Sequence, residues 1–428
     1  MTYSDSVRFL YALGNEMKTA KLGLERIRAL LEALGNPQKA YRVVHVAGTN
    51  GKGSTCAMID AGLRAAGVRT GLFTSPHLIE PTERVQIDGI PVSQQQFARA
   101  FEAANRAAES LKLECLPTYF EMVTAMAFWL FREMGVETAV VEVGLGGRLD
   151  ATNVVEPALT VITPVDLDHQ AYLGDTIAAI AAEKAGILKS GVPAVFARQN
   201  PEASAVLEAR ARELGVPVRR ATEYEIRDVS IDARGSRFSA GPFTGLECPL
   251  AGEHQLQNAV TAAMALEALG TSPQGIAEAR WPGRLERISP NPDVILDGAH
   301  NPAGARALAA YLERFYPRER GAAPFRRWLI FGAMRDKAVS EIGTILFPLA
   351  DKLILTAPAN PRAMPPRELA FLAGKGRTAP DVVAALRLVQ AECSAEDVIL
   401  VTGSLFLVGE ARAASYNKNS WPFSGAWS

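Results

Sequence analysis

The sequence predicts an α/β protein: a P-loop-containing, doubly wound, mostly parallel sheet domain followed by a smaller Rossmann-like α/β domain. Three observations lead there. Short apolar runs, read as strands buried on both faces, alternate with helical periodicity along most of the chain. One such run, Val43 to Ala47, enters the glycine-rich stretch Gly48-Thr49-Asn50-Gly51-Lys52-Gly53-Ser54, after which a helical pattern opens. The rhythm breaks at Trp281-Pro282-Gly283-Arg284 and then restarts, which sets the expected domains at 1–287 and 288–428.

In chain order, residues 5–37 read as helical. Leu22, Leu24, Ile27, Leu30, Leu31 and Leu34 recur at helical spacing before a Gly35-Asn36-Pro37 stop. Val68 to Thr74 reads as the second strand, ending in Ser75-Pro76-His77, and Val85 to Gly89 as a short extended piece with a turn. Helical patterns at 93–110 and 119–134 lead to an apolar strand from Thr138 to Val143. Leu159 to Thr163 is the next strand and Thr176 to Lys189 the next helix. Residues 198–250 show no clear period beyond short β elements, and Gln257 to Leu269 is a helix. The second domain is expected as strand 293–297, helix 303–315, strand 327–331, helix 338–349, strand 352–356, helix 380–392 and strand 397–401. The tail after Ala414, with Asn417, Asn419, Pro422 and Gly425, is expected to be loose.

Bulk properties remove several classes. With 428 residues the chain can bury two or three cores. Lys plus Arg is 45 against 46 Asp plus Glu, a net charge of −1, which argues against a nucleic-acid-coating surface. No apolar run reaches the roughly 18–20 residues of a membrane span. The longest, Tyr119 to Phe131, contains Glu121 and Thr124 and reads as a buried helix. The start, Met1-Thr2-Tyr3-Ser4-Asp5, has no signal-peptide pattern, so a cytoplasmic protein is expected. Cys56, Cys115, Cys248 and Cys393 form no C-x-x-C pair and read as reduced thiols.

The glycine stretch carries the chemistry. A strand, a tight turn and a helix N-terminus bring backbone N–H groups and the helix dipole to one point, which makes an anion site. Gly48, Gly51 and Gly53 allow close backbone approach, Lys52 is placed for outer phosphates, and Ser54 or Thr55 for a metal ion. The spacing departs from G-x-x-x-x-G-K-[ST], since Gly48 precedes Gly51 by three residues and Gly53 follows Lys52. Ligands of open parallel sheets gather at carboxyl ends of strands. Ser75, Glu142 and His169 sit at such ends and can complete a Mg²⁺ shell with phosphate and water, Mn²⁺ being a possible substitute. A serine before proline also reads as a turn former, and a lone loop histidine as ligand-free. Glu142, in an apolar strand, must pair or bind metal to offset desolvation. Lys184 reads either as a snorkelling surface lysine or, pointing inward, as a neutral amine able to react with carbon dioxide.

The words His45 to Ser54, Thr74-Ser75-Pro76-His77-Leu78, Thr118-Tyr119-Phe120-Glu121 and Glu142 to Asn153 come in this order. Leu167-Asp168-His169, Glu183 to Ile187, Trp281 to Arg284, Asp297-Gly298-Ala299-His300-Asn301-Pro302 and Gly403-Ser404-Leu405 follow. Together they resemble folylpolyglutamate synthase/dihydrofolate synthase, a branch of the Mur ligase superfamily, from about residue 20 to about 412. The resemblance implies ATP-dependent amide formation: the γ-phosphate passes to a carboxylate and the amine of L-glutamate displaces phosphate. It implies nucleotide contacts from Gly48, Thr49, Asn50, Gly51, Lys52, Gly53 and Ser54, and from Asn258, Arg284 and Asp297. Ser75, Glu142 and His169 would hold magnesium, and Lys184 matches a lysine carbamylated in relatives. Lys52, His169 and Lys184 are then the catalytic candidates. The acceptor, dihydropteroate or a (tetrahydro)folate, would lie near Gly23, Leu24, Glu25 and Arg26, near Thr118, Tyr119, Phe120 and Glu121, and near Leu149, Asp150 and Ala151. A monomer without nucleic-acid or membrane partners is expected. One departure is Asp336-Lys337-Ala338 where the family often has Asp-Lys-Asp.

Rival readings fare worse. A cell-wall Mur ligase is expected to carry a whole domain before the phosphate loop, and 47 residues precede Gly48. A regulatory GTPase should show N-K-x-D, and the nearest string, Asn417-Lys418-Asn419-Ser420, lacks the aspartate. A small-molecule kinase would not need the second α/β unit. The string Gly147 to Asn153 is similar to bifunctional bacterial enzymes, so both synthase activities are expected, with elongation alone as the alternative.

Overall fold

Buried, β-branched Val43, Val44 and Val46 build β1 (Arg42–Ala47), an inner strand of an eight-stranded sheet. The structure, a computed structural model, describes residues 1–14, 23–111, 116–318, 325–417 and 421–423. Its chain divides into two units, one of residues 1–229, 237–248 and 255–280, the other of 230–236, 249–254 and 281–428.

The first sheet continues with β2 (Thr70–Phe73), β3 (Val85–Ile87), β4 (Ile90–Pro91) and β5 (Thr138–Glu142). It is completed by β6 (Leu159–Ile162), β7 (Ala194–Phe196) and β8 (Val218–Arg220). The order is β4-β3-β2-β5-β1-β6-β7-β8, antiparallel for β3 and β4 and parallel elsewhere. From β1 the chain runs outward to β2, returns to β5 beside β1, and crosses to β6 on the other side. The connections after β1 and β6 thus leave in opposite directions, the switch point where an open α/β sheet forms a ligand crevice. Register pairs Val46 with Glu142 and Ala47 with Ile162, so β5, β1 and β6 end side by side.

Helices Glu25–Ala33, Gln94–Ser110 and Tyr119–Glu133 share a core with this sheet around Ile27, Phe97, Phe101 and Phe128. The last two start with capping boxes, Ser93 with Gln96 and Thr118 with Glu121, each satisfying two otherwise orphaned backbone donors. A second core joins Ile180, Ala181 and Leu207 to Ala47, Ile162 and Phe196. β9 (Ile226–Ile231), β10 (Ser236–Ala240) and β11 (Phe243–Cys248) form a three-stranded sheet.

The second unit's sheet holds β12 (Glu286–Pro290), β13 (Asp293–Leu296), β14 (Arg327–Phe331), β15 (Lys352–Leu355), β16 (Arg377–Thr378) and β17 (Val398–Thr402). Its order is β12-β13-β17-β14-β15-β16, parallel except for the β12–β13 hairpin. Leu308, Leu312 and Ile342 pack on Leu329, Phe331 and Leu400 there.

Several elements differ from expectation. Residues 5–37 form two described helices, Tyr3–Ala12 and Glu25–Ala33, and Leu22 lies outside the described residues. The expected stop holds, because Gly35 and Asn36 take positive φ of 77° and 53° and turn the chain. The indistinct stretch after residue 198 contains helix Pro201–Leu214, capped by Asn200 and ended by Gly215 in the left-handed region. The helix expected at 257 begins a turn earlier, at Glu253. The tail is not loose throughout: helix Leu405–Tyr416 passes Ala414, and Trp421 and Phe423 are buried. Cys56, Cys248 and Cys393 are free thiols, Cys115 lying outside the described residues. Among the described residues no helix is long and apolar enough to cross a membrane.

Candidate active site

The loop after β1 is fastened across the switch point. Thr49 N and Asn50 N donate to Pro164 O at 2.9 and 3.2 Å. Thr49 Oγ1 donates to Asp166 O and accepts from Asp166 N, both at 3.0 Å. Gly48 is required by this closeness, since a Cβ there would fall 1.8 Å from Thr163 Oγ1. Gly51, at φ 84°, caps helix Lys52–Ala65, and a Cβ on it would fall 2.4 Å from Asn258 Oδ1. The helix therefore begins with uncapped N–H groups at the carboxyl edge of the sheet, a ready anion site.

Behind this turn runs a buried amide relay. Asn258 Nδ2 donates to Gln255 Oε1 at 3.0 Å, and Gln255 Nε2 donates to Ser54 Oγ at 3.1 Å. Gln255 was not among the sequence candidates; its position one helical turn before Asn258 was the available signal. Gln255→Leu strands both a hydroxyl and an amide, so an unfolding midpoint should report a loss of about 1–3 kcal/mol.

Ser75 and Glu142, two of the three residues read at strand ends, come together, and Lys52 joins them. Lys52 Nζ donates to Thr49 O at 3.2 Å and lies 4.0 Å from Glu142 Oε1, while Ser75 N donates to Glu142 Oε2 at 3.2 Å. Glu142 is buried, and its partners supply the compensation that desolvation demands. His169 follows β6 at φ 53° and begins the short helix Gln170–Leu173, with Nε2 4.0 Å from Asp168 Oδ2. Among the described residues no group of three or more His, Cys, Asp or Glu could hold a metal. A single carboxylate beside an anion cradle suits Mg²⁺, which takes few protein ligands and completes its shell with phosphate and water.

Lys184 points inward. It is buried on helix Ile177–Ala185, and Nζ donates to Gly48 O at 2.8 Å. Burial, helped by Lys52, pushes its pKa down to about 7 against the opposing pull of Asp168 and Asp150. The stretch 144–153 holds this helix in place. Arg148 N donates to Glu183 O at 2.8 Å, Arg148 pairs with the Glu183 carboxylate, and Asn153 Nδ2 donates to Arg148 O and Gly186 O.

The candidate acceptor residues cluster in part. Glu121 Oε2 accepts from Thr118 N at 2.7 Å and from Arg26 Nε at 3.1 Å. Leu24 is buried and Glu25 exposed, beside Gly23. Tyr119 stacks on Tyr11 at 5.7 Å, with the Arg84 guanidinium 5.2 Å from its ring centre. Phe120 lies 6.0 Å from Phe73. Asp150 accepts from Leu145 N and Thr152 N at 2.9 Å each, closing the loop that holds half-buried Leu149 and buried Ala151. Burial pushes the Asp150 pKa up against these hydrogen bonds.

Arg284 and Asp297 belong to the second unit. Asp297 is buried, accepting from Leu285 N and Ala299 N at 2.9 Å each. Arg284 Nη1 donates to Gly283 O at 3.0 Å, and a Cβ on Gly298 would fall 2.4 Å from that nitrogen.

A phosphate-type loop at a switch point, with a lysine over a buried carboxylate, is the equipment of an enzyme that works on a nucleoside triphosphate. Residues 46–266 match the Mur ligase middle domain and residues 283–405 the Mur ligase, glutamate ligase domain. The folylpolyglutamate synthase of Lacticaseibacillus casei is 35% identical, covering 96% of this chain and 98% of its own. The dihydrofolate synthase/folylpolyglutamate synthase of Mycobacterium tuberculosis is 38% identical, covering 91% and 89%. The structure of E. coli FolC in complex with DHPP and ADP superposes with a TM-score of 0.86 at 33% identity, covering 96% of this chain and 97% of that one. The chain belongs to the folylpolyglutamate synthase/dihydrofolate synthase family of Mur ligases. It is an ATP-dependent carboxylate–amine ligase that adds glutamate.

Proposed function

We propose that the chain joins L-glutamate both to dihydropteroate and to folyl (poly)glutamates. The observation that supports the ATP step is the Gly48–Ser54 turn at the switch point, with Lys52 4.0 Å from Glu142 and Glu142 hydrogen-bonded to Ser75. The M. tuberculosis relative, whose name carries both synthase activities, supports the pair of acceptors. The γ-phosphoryl group passes from ATP to the acceptor carboxylate, breaking the bond to the β-phosphate oxygen. The glutamate amine then attacks the acyl carbon, phosphate leaves, and the amine proton goes to solvent or base. Such chemistry relies on positioning and charge neutralisation.

In this reading Gly48 to Ser54 cradle the phosphates, and Lys52 offsets their charge. Asn258 supports the turn through Gln255, and Arg284 and Asp297 keep the nucleotide role that the family resemblance implies. Ser75, Glu142 and His169 would hold Mg²⁺, or Mn²⁺ in its place. Bound there, the ion would neutralise charge on the β- and γ-oxygens. Lys184 is the candidate to carry a carbamate. Gly23 to Arg26, Thr118 to Glu121 and Leu149 to Ala151 receive the acceptor. The domains run 1–287 and 288–428, and the enzyme acts as a cytoplasmic monomer.

A second reading, elongation only, is favoured by the L. casei relative, whose name carries that activity alone. Two parallel assays separate them. ADP release that needs glutamate and occurs with either dihydropteroate or tetrahydrofolate supports the bifunctional reading. Release with tetrahydrofolate alone leaves elongation, and release without glutamate overturns both.

A further inference from the structure

His45 has no part in the chemistry above, yet it is a fully buried imidazole in the strand that delivers the phosphate loop. Its Nε2 lies 2.8 Å from Thr152 Oγ1, and Thr152 Oγ1 donates to Asp150 Oδ1 at 2.5 Å. The positions of the protons follow from valence. A hydroxyl has one proton to give, and an ionised carboxylate only accepts. Thr152 spends its proton on Asp150, so it must accept from His45. The imidazole proton is therefore on Nε2 and Nδ1 is bare. Nδ1 is indeed buried without a hydrogen-bond partner, and an unpaired acceptor is tolerated there better than an unpaired N–H. Burial, with Lys189 adding to it, pushes the His45 pKa down to about 3, so the ring stays neutral and the relay keeps its polarity. At the far end, Leu145 N, Thr152 N and Thr152 Oγ1 all donate to Asp150, which opposes the upward push of burial on its pKa.

The relay joins two elements that must keep a fixed distance. Gly48 follows His45 by three residues on the same strand and turn, while Asp150 closes the loop holding Leu149 and Ala151. Acyl phosphate formation needs the acceptor carboxylate and the γ-phosphate at near-contact, roughly 3–3.5 Å. Pinning the acceptor loop to β1 fixes one reactant's seat relative to the other's. We infer that His45 is a positioning residue for the acceptor: through Thr152 it orients the Asp150 carboxylate and sets the affinity for the pteroate-type substrate. The inference rests on the assignment of Leu149 to Ala151 to the acceptor.

The test is steady-state kinetics of the full chain, with dihydropteroate and ATP varied in turn. His45→Leu and Thr152→Val should each raise the dihydropteroate KM by about tenfold, the weight of one hydrogen bond. The ATP KM should stay within about twofold, and the double variant should be no worse than either single one, as for members of one network. His45→Gln, which can offer an N–H near the place of Nε2, should restore most of the affinity. Nitrogen NMR of the histidines should show Nδ1 of His45 unprotonated, with its Nε2–H resonance moving in Thr152→Val. An ATP KM that rises in step, additive losses in the double variant, or no rescue by glutamine would reduce His45 to packing and overturn the inference. Asp150→Asn separates the two layers. If it raises the dihydropteroate KM while Thr152→Val does not, the relay is wrong; if neither does, the acceptor assignment falls and takes the relay's role with it.

Discussion

Lys52→Ala is expected to lower ADP release by about 10³-fold, with the fold intact. The side chain is held from both ends: Nζ donates to Thr49 O in the turn and faces Glu142 at 4.0 Å across it. A cation fixed at that point costs no reorganisation when charge shifts onto the transferring phosphoryl group, so its worth is felt mostly in the transition state. Turnover should therefore fall much further than nucleotide affinity. The thermal midpoint should barely change, because Lys52 is only half-buried and its ion pair is long. Lys52→Arg should recover little, since a planar fork does not fill the place of a compact ammonium. A Lys52→Ala enzyme with near-normal rates would remove the cation from the mechanism.

The parts of this site that were legible in the sequence are those set by short-range geometry. A turn that brings backbone to phosphate needs glycine at fixed offsets, so Gly48 and Gly51 stood out before their neighbours Thr163 and Asn258 were known. Glu142 stood out because a carboxylate in an apolar strand needs a partner. Gln255 was legible only through its spacing from Asn258, and His45 not at all, since Ser54 and Thr152 lie 201 and 107 residues from them. In sequence one is an ordinary helix amide and the other a polar residue in a strand. The inward turn of Lys184 was left open for the same reason: only the packing of Gly147 and Gly186 between stretch 144–148 and its helix decides it. In the fold, alternation of period predicted two α/β units, but not that β17 inserts between β13 and β14. Strands as short as β7 and β8 carry too few residues for a period to show. Trp421 and Phe423 lie in a polar, glycine-bearing tail, and composition outweighed two aromatic residues that find cover.

Lys184→Ala is expected to cost about 10²–10³-fold in turnover, the scale of a lost electrostatic group at the reacting centre, and millimolar formate or acetate should restore part of it. Two roles compete for this side chain. As an amine it braces the phosphate turn through Gly48 O. As a carbamate it would present a carboxylate to the site. The folded-state pKa near 7 makes the second possible, because a large fraction of the amine is neutral at physiological pH. The nitrogen lone pair then adds to the carbon of carbon dioxide, one C–O π pair moves onto oxygen, and the nitrogen proton leaves to water. Rescue by a small carboxylate separates the roles, since formate can replace a carbamate's oxygens but cannot brace a carbonyl by donating to it. Stability gives a second reading of the same group. The folded pKa lies below the ordinary 10.5, so between about pH 7 and 10.5 the folded state binds fewer protons than the unfolded one. Stability contributed through Lys184 therefore rises with pH across that window, and the burial penalty is complete below it. Lys184→Met should flatten this rise in the unfolding midpoint, and a wild-type midpoint that falls over the same range relative to Lys184→Met would contradict the buried, neutral amine.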